Sequence, residues 1–366
     1  MPTRPPIRLL DLAPLPPLRS QTVYHAVGHA LRPGDADTIM LVSPNAPYVS
    51  IGRHQDLSRE VDLDYTGAHG LPVIRREIGG GAVYLDGGQL FCQWIFHAAH
   101  LPATVEERFR LYIDALVRAY RALGIAAEHR PINDVHVAGR KIGGTGAARM
   151  SEAEVVVGSL MFDFDTATMA RVLKVPSEKF RDKIFQSLTD YMTTMRRELG
   201  EPPPRERVVA AYLDACRQVL GREIVPGELR PAELALAAEL DARFTSAEWM
   251  EQSGGLMRAW VKIHEDVRVG EGVHKAPGGL IRCVARVRDE RLDDVAFSGD
   301  FTARPATMTA DLEVALRGSE LAEAALLGRV EDYYARVRPE IPGVSPADWV
   351  AAVLAATAKE PPGQAA

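Results

Sequence analysis

The chain has 366 residues, 46% of them hydrophobic and 25% charged, with a formal charge of −6 at pH 7. Such a length exceeds one typical domain, so two are expected, and the composition is that of an ordinary globular chain. The negative balance argues against a general nucleic-acid binder, and no window holds the roughly 20 apolar residues of a membrane-spanning helix. Cys92, Cys216 and Cys283 are scattered, with neither zinc-like spacing nor a disulfide framework, so a reducing cytoplasm is the expected setting.

The first twenty residues are rich in proline and read as an extended lead-in without a continuous apolar signal core. From Ser20 to Leu31 a helix is expected, with Val23, Val27 and Leu31 on one face. Thr38–Val42 and Tyr48–Gly52 read as short strands around an Asn-Ala-Pro turn. In Val73–Asp86 two arginines, Arg75 and Arg76, precede Gly79, Gly80 and Gly81, and an alternating strand-like run follows from Ala82. Glycines without a Cβ let amides approach a ligand, and guanidinium groups beside them suit an oxyanion. A tight corner between two strands with arginines reaching into solvent accounts for the same residues.

Leu90–Phe96 reads as a buried strand. Thr104-Val105-Glu106-Glu107 has the pattern of a capping box. Val105, Phe109, Ile113, Leu116, Val117 and Tyr120 then recur at helical spacing up to a stop at Gly124. Val135 and Val137 alternate, Ala138-Gly139 supplies a turn, and Arg140-Lys141-Ile142 begins a return strand, which together predict a β-hairpin. The glycines after Ile142 are expected to free the backbone around Lys141, itself either plain surface or a placed charge. A strand from Glu154 to Phe164 follows, then a helix opened near Phe180, with basic Lys179–Lys183. Further helices end near Leu220 and span Pro231–Asp241. A boundary is expected at Ser253-Gly254-Gly255. Beyond it come strands at Arg258–Ile263, Gly279–Val287 and Leu292–Phe297, helical pieces at Leu312–Arg317 and Glu320–Leu327, and a frayed tail from Pro361.

Two stretches taken together resemble the lipoate-protein ligase family, within the biotin/lipoate protein ligase superfamily. They are Arg75-Arg76-Glu77-Ile78-Gly79-Gly80-Gly81-Ala82-Val83, then Asn133-Asp134 with Gly139-Arg140-Lys141-Ile142-Gly143-Gly144. His274-Lys275-Ala276-Pro277-Gly278-Gly279 and Ser298-Gly299-Asp300-Phe301 are similar to segments of the family's accessory domain. The resemblance implies an α+β fold: a large mixed or antiparallel-sheet catalytic domain over 1–252 and a small α+β accessory domain over 253–366. It implies an ATP-dependent enzyme that activates lipoate as lipoyl-AMP and passes it to a lysine of a lipoyl-carrier domain. That carrier would be a glycine-cleavage H-like protein or a 2-oxo acid dehydrogenase acyltransferase subunit, and the ligase a monomer.

On this resemblance Lys141 is the catalytic residue, bridging acyl carbonyl and α-phosphate. Arg75, Arg76, Gly79, Gly80, Gly81, Ala82, Val83 and Tyr84 surround the nucleotide with Asn133 and Asp134, and Asp134 holds Mg2+. Leu85, Gln89 and Gly143 stand where relatives carry His, Asn and Ser, which touches the choice of acyl group and carrier. Two alternatives share the scaffold: an octanoyl or lipoyl transferase working without ATP, and a non-catalytic binder of lipoyl carriers. Cysteine-dependent octanoyltransferases place a nucleophile just before the hairpin, where this chain has Arg130-Pro131-Ile132-Asn133.

Overall fold

A computed structural model describes residues 5–175, 177–251 and 267–358. The boundary expected at Ser253–Gly255, the strand expected at Arg258–Ile263 and the tail from Pro361 lie outside the described residues. So do the side chains of Lys179 and Phe180 in the basic segment. The chain divides into two compact units: residues 1–53, 57–78 and 82–250, and residues 54–56, 79–81 and 251–366.

In chain order the strands of the first unit are β1 (Ile7–Asp11), β2 (Thr38–Val42), β3 (Tyr48–Ile51), β4 (Val73–Arg75), β5 (Val83–Leu85), β6 (Gln89–His97), β7 (Ala127–Arg130), β8 (Asp134–Val137), β9 (Arg140–Met150), β10 (Ala153–Met161) and β11 (Ile224–Pro226). Eight of them form one mixed sheet in the order β11-β1-β2-β6-β10-β9-β8-β7, and β4-β3-β5 form a smaller one. Only the pairings of β1 with β11 and β2 are parallel in the large sheet, so its greater part is antiparallel.

β6 shows why the apolar run there lacks alternation. Leu90, Cys92, Trp94 and Phe96 face a core shared with helices Val105–Ala122 and Arg205–Leu220, while Ile95 turns to the opposite core under helix Pro17–Ala30. A strand covered on both faces has no polar side. Trp94 donates its indole N–H to the Tyr212 hydroxyl at 3.0 Å, which satisfies two polar atoms inside the larger core. The helix Val105–Ala122 begins at Thr104 with the expected capping box, Thr104 Oγ1 accepting from the Glu107 amide.

The glycines after Ile142 do not free the backbone. They lie inside β9, an eleven-residue strand paired with β8 and β10. A Cβ on Gly143 would sit 3.3 Å from the Ser159 carbonyl oxygen, so the missing side chain serves close packing instead.

The second unit is built on an antiparallel sheet of β12 (Val267–Ala276), β13 (Gly279–Arg288) and β14 (Arg291–Gly299), with helices Met308–Leu316, Glu323–Val337 and Pro346–Thr357. The second helix begins later and runs longer than the sequence suggests, and the third is an addition. Its core gathers Ile281, Cys283, Phe297, Leu312, Tyr333 and Trp349. At Gly272 a Cβ would lie 2.2 Å from the Ala356 backbone nitrogen, so the third helix rests directly on β12. Gly79–Gly81 belong to this unit, where a Cβ on Gly79 would lie 2.5 Å from the Phe301 carbonyl oxygen. Among the described residues no helix is long and apolar enough to cross a membrane. Together the two units give the α+β fold that the sequence implies. Replacing Thr104 with Ala is expected to lower the unfolding free energy by about 1 kcal/mol in urea titrations, since the first-turn amides lose their acceptor.

Candidate active site

The hairpin of β8 and β9 presents Lys141. Asp134 pairs with Gly144 and His136 with Lys141, and the register shifts between Val135 and His136. That irregularity lets Lys141 fold back over Gly144, where its Nζ meets Asp134 Oδ1 at 2.7 Å. A Cβ on Gly144 would lie 3.1 Å from both Cε and Nζ of Lys141, so only a bare backbone leaves the ammonium this path. The Lys141 and Asp134 side chains keep 28% and 20% of their exposure, so both remain reachable from solvent.

His136, which the sequence reading passed over, is buried beside this pair. Its Nε2 stands 3.8 Å from Asp134 Oδ2 and 3.4 Å from the Tyr191 hydroxyl, and its Nδ1 lies 3.2 Å from the Gly139 carbonyl. Asn133 is committed to the strand pair: its Nδ2 donates to the Thr145 carbonyl at 2.7 Å, and its own carbonyl accepts the Thr145 amide and hydroxyl.

The arginine stretch divides by role. Arg75 is fully buried, its guanidinium donating to the carbonyls of Gly52, Arg53 and Met250 at 3.2, 3.2 and 2.7 Å. These bonds make it a brace between the carbonyls of Gly52 and Arg53 and the end of the unit. Arg76 remains half-buried, with Nη1 donating to the Ser50 carbonyl and hydroxyl at 3.2 Å. In β5 the Tyr84 amide donates to the thioether of Met169 at 3.2 Å. A thioether is a weak acceptor, so a phosphate oxygen would replace it at little cost. Leu85 is core, packed with Val42, Tyr48 and Phe91, and Gln89 is buried with Nε2 3.4 Å from the Tyr84 carbonyl.

In the basic segment that opens helix Glu178–Tyr191, Arg181 turns inward while Lys183 is exposed. Arg181 donates to the carbonyls of Ala170, Arg171 and Leu173 and pairs with Asp62 at 3.0 Å.

The chain links the two groups of residues. Gly88 donates to Asp86 and accepts from the amides of Phe162 and Asp163, Phe162 accepts from the Arg196 amide, and Thr193 donates to the Lys141 carbonyl. Lys141, Asp134 and Asn133 are thus gathered at one hairpin, whereas Arg76 and Tyr84 flank the smaller sheet. No group of three His, Cys, Asp or Glu side chains suited to a metal occurs among the described residues. All three cysteines are buried, and burial pushes Cys216 up to about 12 and Cys92 and Cys283 well above the ordinary thiol range.

The lipoyl protein ligase A/B catalytic domain model matches residues 17–217, and the chain belongs to that family of enzymes. The octanoyltransferase LipM of Kyrpidia tusciae is 28% identical over 235 residues, 58% of this chain and 86% of the relative. Lipoate-protein ligase A subunit 1 of Thermoplasma acidophilum is 31% identical over 221 residues, 57% of this chain and 82% of the relative. A structure of a bi-partite lipoate protein ligase and its E2 lipoyl domain from Thermoplasma acidophilum superposes with TM-score 0.62 at 27% identity, over 72% of this chain and 100% of that one. The Plasmodium falciparum LipL1 structure shares the fold at TM-score 0.64 and 12% identity, over 91% and 98% of the two chains.

Two predictions follow from the geometry. Gly144→Ala presses on the free end of a flexible side chain, so stability should fall by less than about 1 kcal/mol while turnover drops more than tenfold, about 1.4 kcal/mol of barrier. Matched melting curves and initial rates check this.

The second concerns acid. Burial pushes the His25 imidazole down to about 4 from 6.5. Its Nε2 accepts the Glu77 amide at 3.1 Å, and its Nδ1 lies 2.6 Å from the Gln21 carbonyl. Burial acts to raise the Glu77 carboxyl, but the His29 hydrogen bond and the His25, His29 and Arg243 charges overcome it and hold the group at about 2. Both values lie below those of the unfolded chain, so the unfolded state takes up protons first. The His25 contribution is complete above pH 6.5 and is lost as pH falls through 4; that of Glu77 goes between 4.5 and 2. Urea midpoints of His25→Gln should therefore decline less between pH 6.5 and 4.5 than those of the unaltered chain.

Proposed function

We propose that the protein is an ATP-dependent lipoate-protein ligase acting in the cytoplasm on a lipoyl-carrier domain. The observation that carries this reading is the burial of all three thiols, each pushed up by desolvation. A transferase that holds its acyl group as a thioester needs an accessible thiolate, so activation by ATP is favoured. The lipoate-protein ligase relative and the solved ligase with its E2 lipoyl domain support lipoate as acyl donor and a lipoyl domain as acceptor.

In the first half-reaction a lipoate carboxylate oxygen attacks the α-phosphorus of ATP, the bond to the bridging oxygen breaks, and pyrophosphate leaves. In the second the carrier lysine nitrogen attacks the acyl carbon, the bond to AMP breaks, and the amine releases a proton. The first step brings two anions together and the second builds negative charge on the acyl oxygen and departing AMP, so a fixed positive charge and amide donors lower both barriers. Lys141 supplies the charge from the path over Gly144, with Asp134 holding its ammonium on the open side of the hairpin. One such contact at about 4 Å is worth roughly 4 kcal/mol at an effective dielectric of 20, or about a thousandfold in rate if confined to the transition state.

Arg76 and the amides of Ala82, Val83 and Tyr84 bind the nucleotide phosphates, and Arg75 braces the stretch from behind. Asp134 offers one carboxylate, and Mg2+ is commonly held by one or two carboxylates with phosphate and water. The ion would therefore arrive with ATP, where it neutralises phosphate charge. Asn133 fixes the strand from which Asp134 projects.

A second reading, transfer of an octanoyl group between carriers without ATP, is favoured by the similarity to LipM. Purified protein with lipoate, Mg2+ and ATP is expected to release pyrophosphate, and Lys141→Ala to reduce this by about a thousandfold or more. Equal turnover in the variant removes Lys141 from the chemistry. Efficient transfer from octanoyl carrier protein without ATP would establish the second reading instead.

A further inference from the structure

The ammonium of Lys141 sits at the end of a four-carbon stem, so its placement depends on how firmly its own backbone is held. The Lys141 carbonyl accepts the Thr193 amide at 2.8 Å, and the two segments form a parallel bridge between Lys141 and Met192. The Thr193 hydroxyl donates to Glu198 Oε1, and that same oxygen accepts Arg140 Nη2 at 2.8 Å. One carboxylate oxygen thus joins the side chain of the residue before the lysine to the residue that holds the lysine's carbonyl.

The segment bearing Glu198 is itself anchored. Arg197 Nη1 donates to the carbonyls of Thr189 and Met192 at 2.6 and 2.9 Å, the Arg196 amide donates to the Phe162 carbonyl, and Arg196 pairs with Asp163 at 2.7 Å. Thr193 is buried and the Glu198 side chain is 16% exposed, so water competes weakly for these bonds, and a charged acceptor strengthens them.

We propose that Glu198 is a positioning residue for Lys141, fixing the backbone from which the ammonium reaches Asp134. It rests on the reading of Lys141 given above, and Glu198 itself contacts no reacting group. Glu198→Gln keeps an oxygen that accepts from both Arg140 and Thr193, whereas Glu198→Ala keeps none. In the full-length chain, kcat for pyrophosphate release should fall roughly a hundredfold in Glu198→Ala, the cost of a misplaced group. The KM values for lipoate and ATP should stay within about twofold, because ground-state binding is untouched. Glu198→Gln should recover most of the lost kcat. Unchanged kcat in Glu198→Ala, a loss confined to KM, or no recovery in Glu198→Gln would each overturn the assignment.

A measurement without substrate separates this from failure of the ligase reading. Hydrogen–deuterium exchange read by NMR reports how firmly the Lys141 carbonyl is held, through the Thr193 amide that it accepts. That amide should exchange severalfold faster in Glu198→Ala than in the unaltered chain and return toward its original rate in Glu198→Gln. An unchanged Thr193 exchange rate in Glu198→Ala overturns the positioning role, even if the protein proves inert with ATP.

Discussion

The site depends on three strands that approach one another without side chains between them. A Cβ on Gly143 would meet the Ser159 carbonyl at 3.3 Å, one on Gly158 would meet the Gly144 carbonyl at 3.1 Å, and one on Gly144 would meet the end of Lys141. Glycine in a strand costs roughly 0.5–1 kcal/mol relative to alanine, and here three such positions cluster where β8, β9 and β10 run side by side. The sheet around them offsets that cost through two apolar faces, one beneath helices Val105–Ala122 and Arg205–Leu220 and the other beneath Pro17–Ala30. What the bare strand gains is room for Lys141 to cross Gly144 and meet Asp134.

That geometry suits either chemistry known among relatives of this chain. Ligase and transferase differ in how the acyl group is activated before it reaches the acceptor amine. A fixed cation stabilises the developing negative charge in both. Cys92 lies in β6 within the core that also holds Trp94 and Tyr112, where ionisation would strand a charge among apolar groups.

Local signals in the sequence were legible because local physics decides them. The capping box at Thr104, the apolar stripe from Val105 to Tyr120 and the strands Thr38–Val42 and Leu90–Phe96 each follow from spacing alone. The hairpin carrying Lys141 was equally plain from Val135, Val137 and the Ala138-Gly139 turn. Roles set by distant partners were not. Arg75 looks like Arg76 in the chain, yet one is spent on the Met250 carbonyl 175 residues away and the other stays half-buried beside Ser50. Glycines read as a loosened loop because composition does not reveal that the Ser159 carbonyl presses on them. Glu198 carries no motif at all; its position follows from where helix Met195–Leu199 lands. His136 shows as one polar residue in an apolar strand, a signal that was present and carried no weight until Asp134 and Tyr191 surrounded it.

A reciprocal pair of bonds ties the end of the first unit to Arg75. Trp249 donates its indole N–H to the Arg75 carbonyl at 2.9 Å while Arg75 donates back to Met250, and Arg53 and Arg243 lie over the indole ring. A fragment ending before Trp249 would leave an interior guanidinium short of an acceptor and uncover the apolar floor formed with Phe244. The interior of the larger unit therefore extends through Trp249 and Met250, well past the last of its strands.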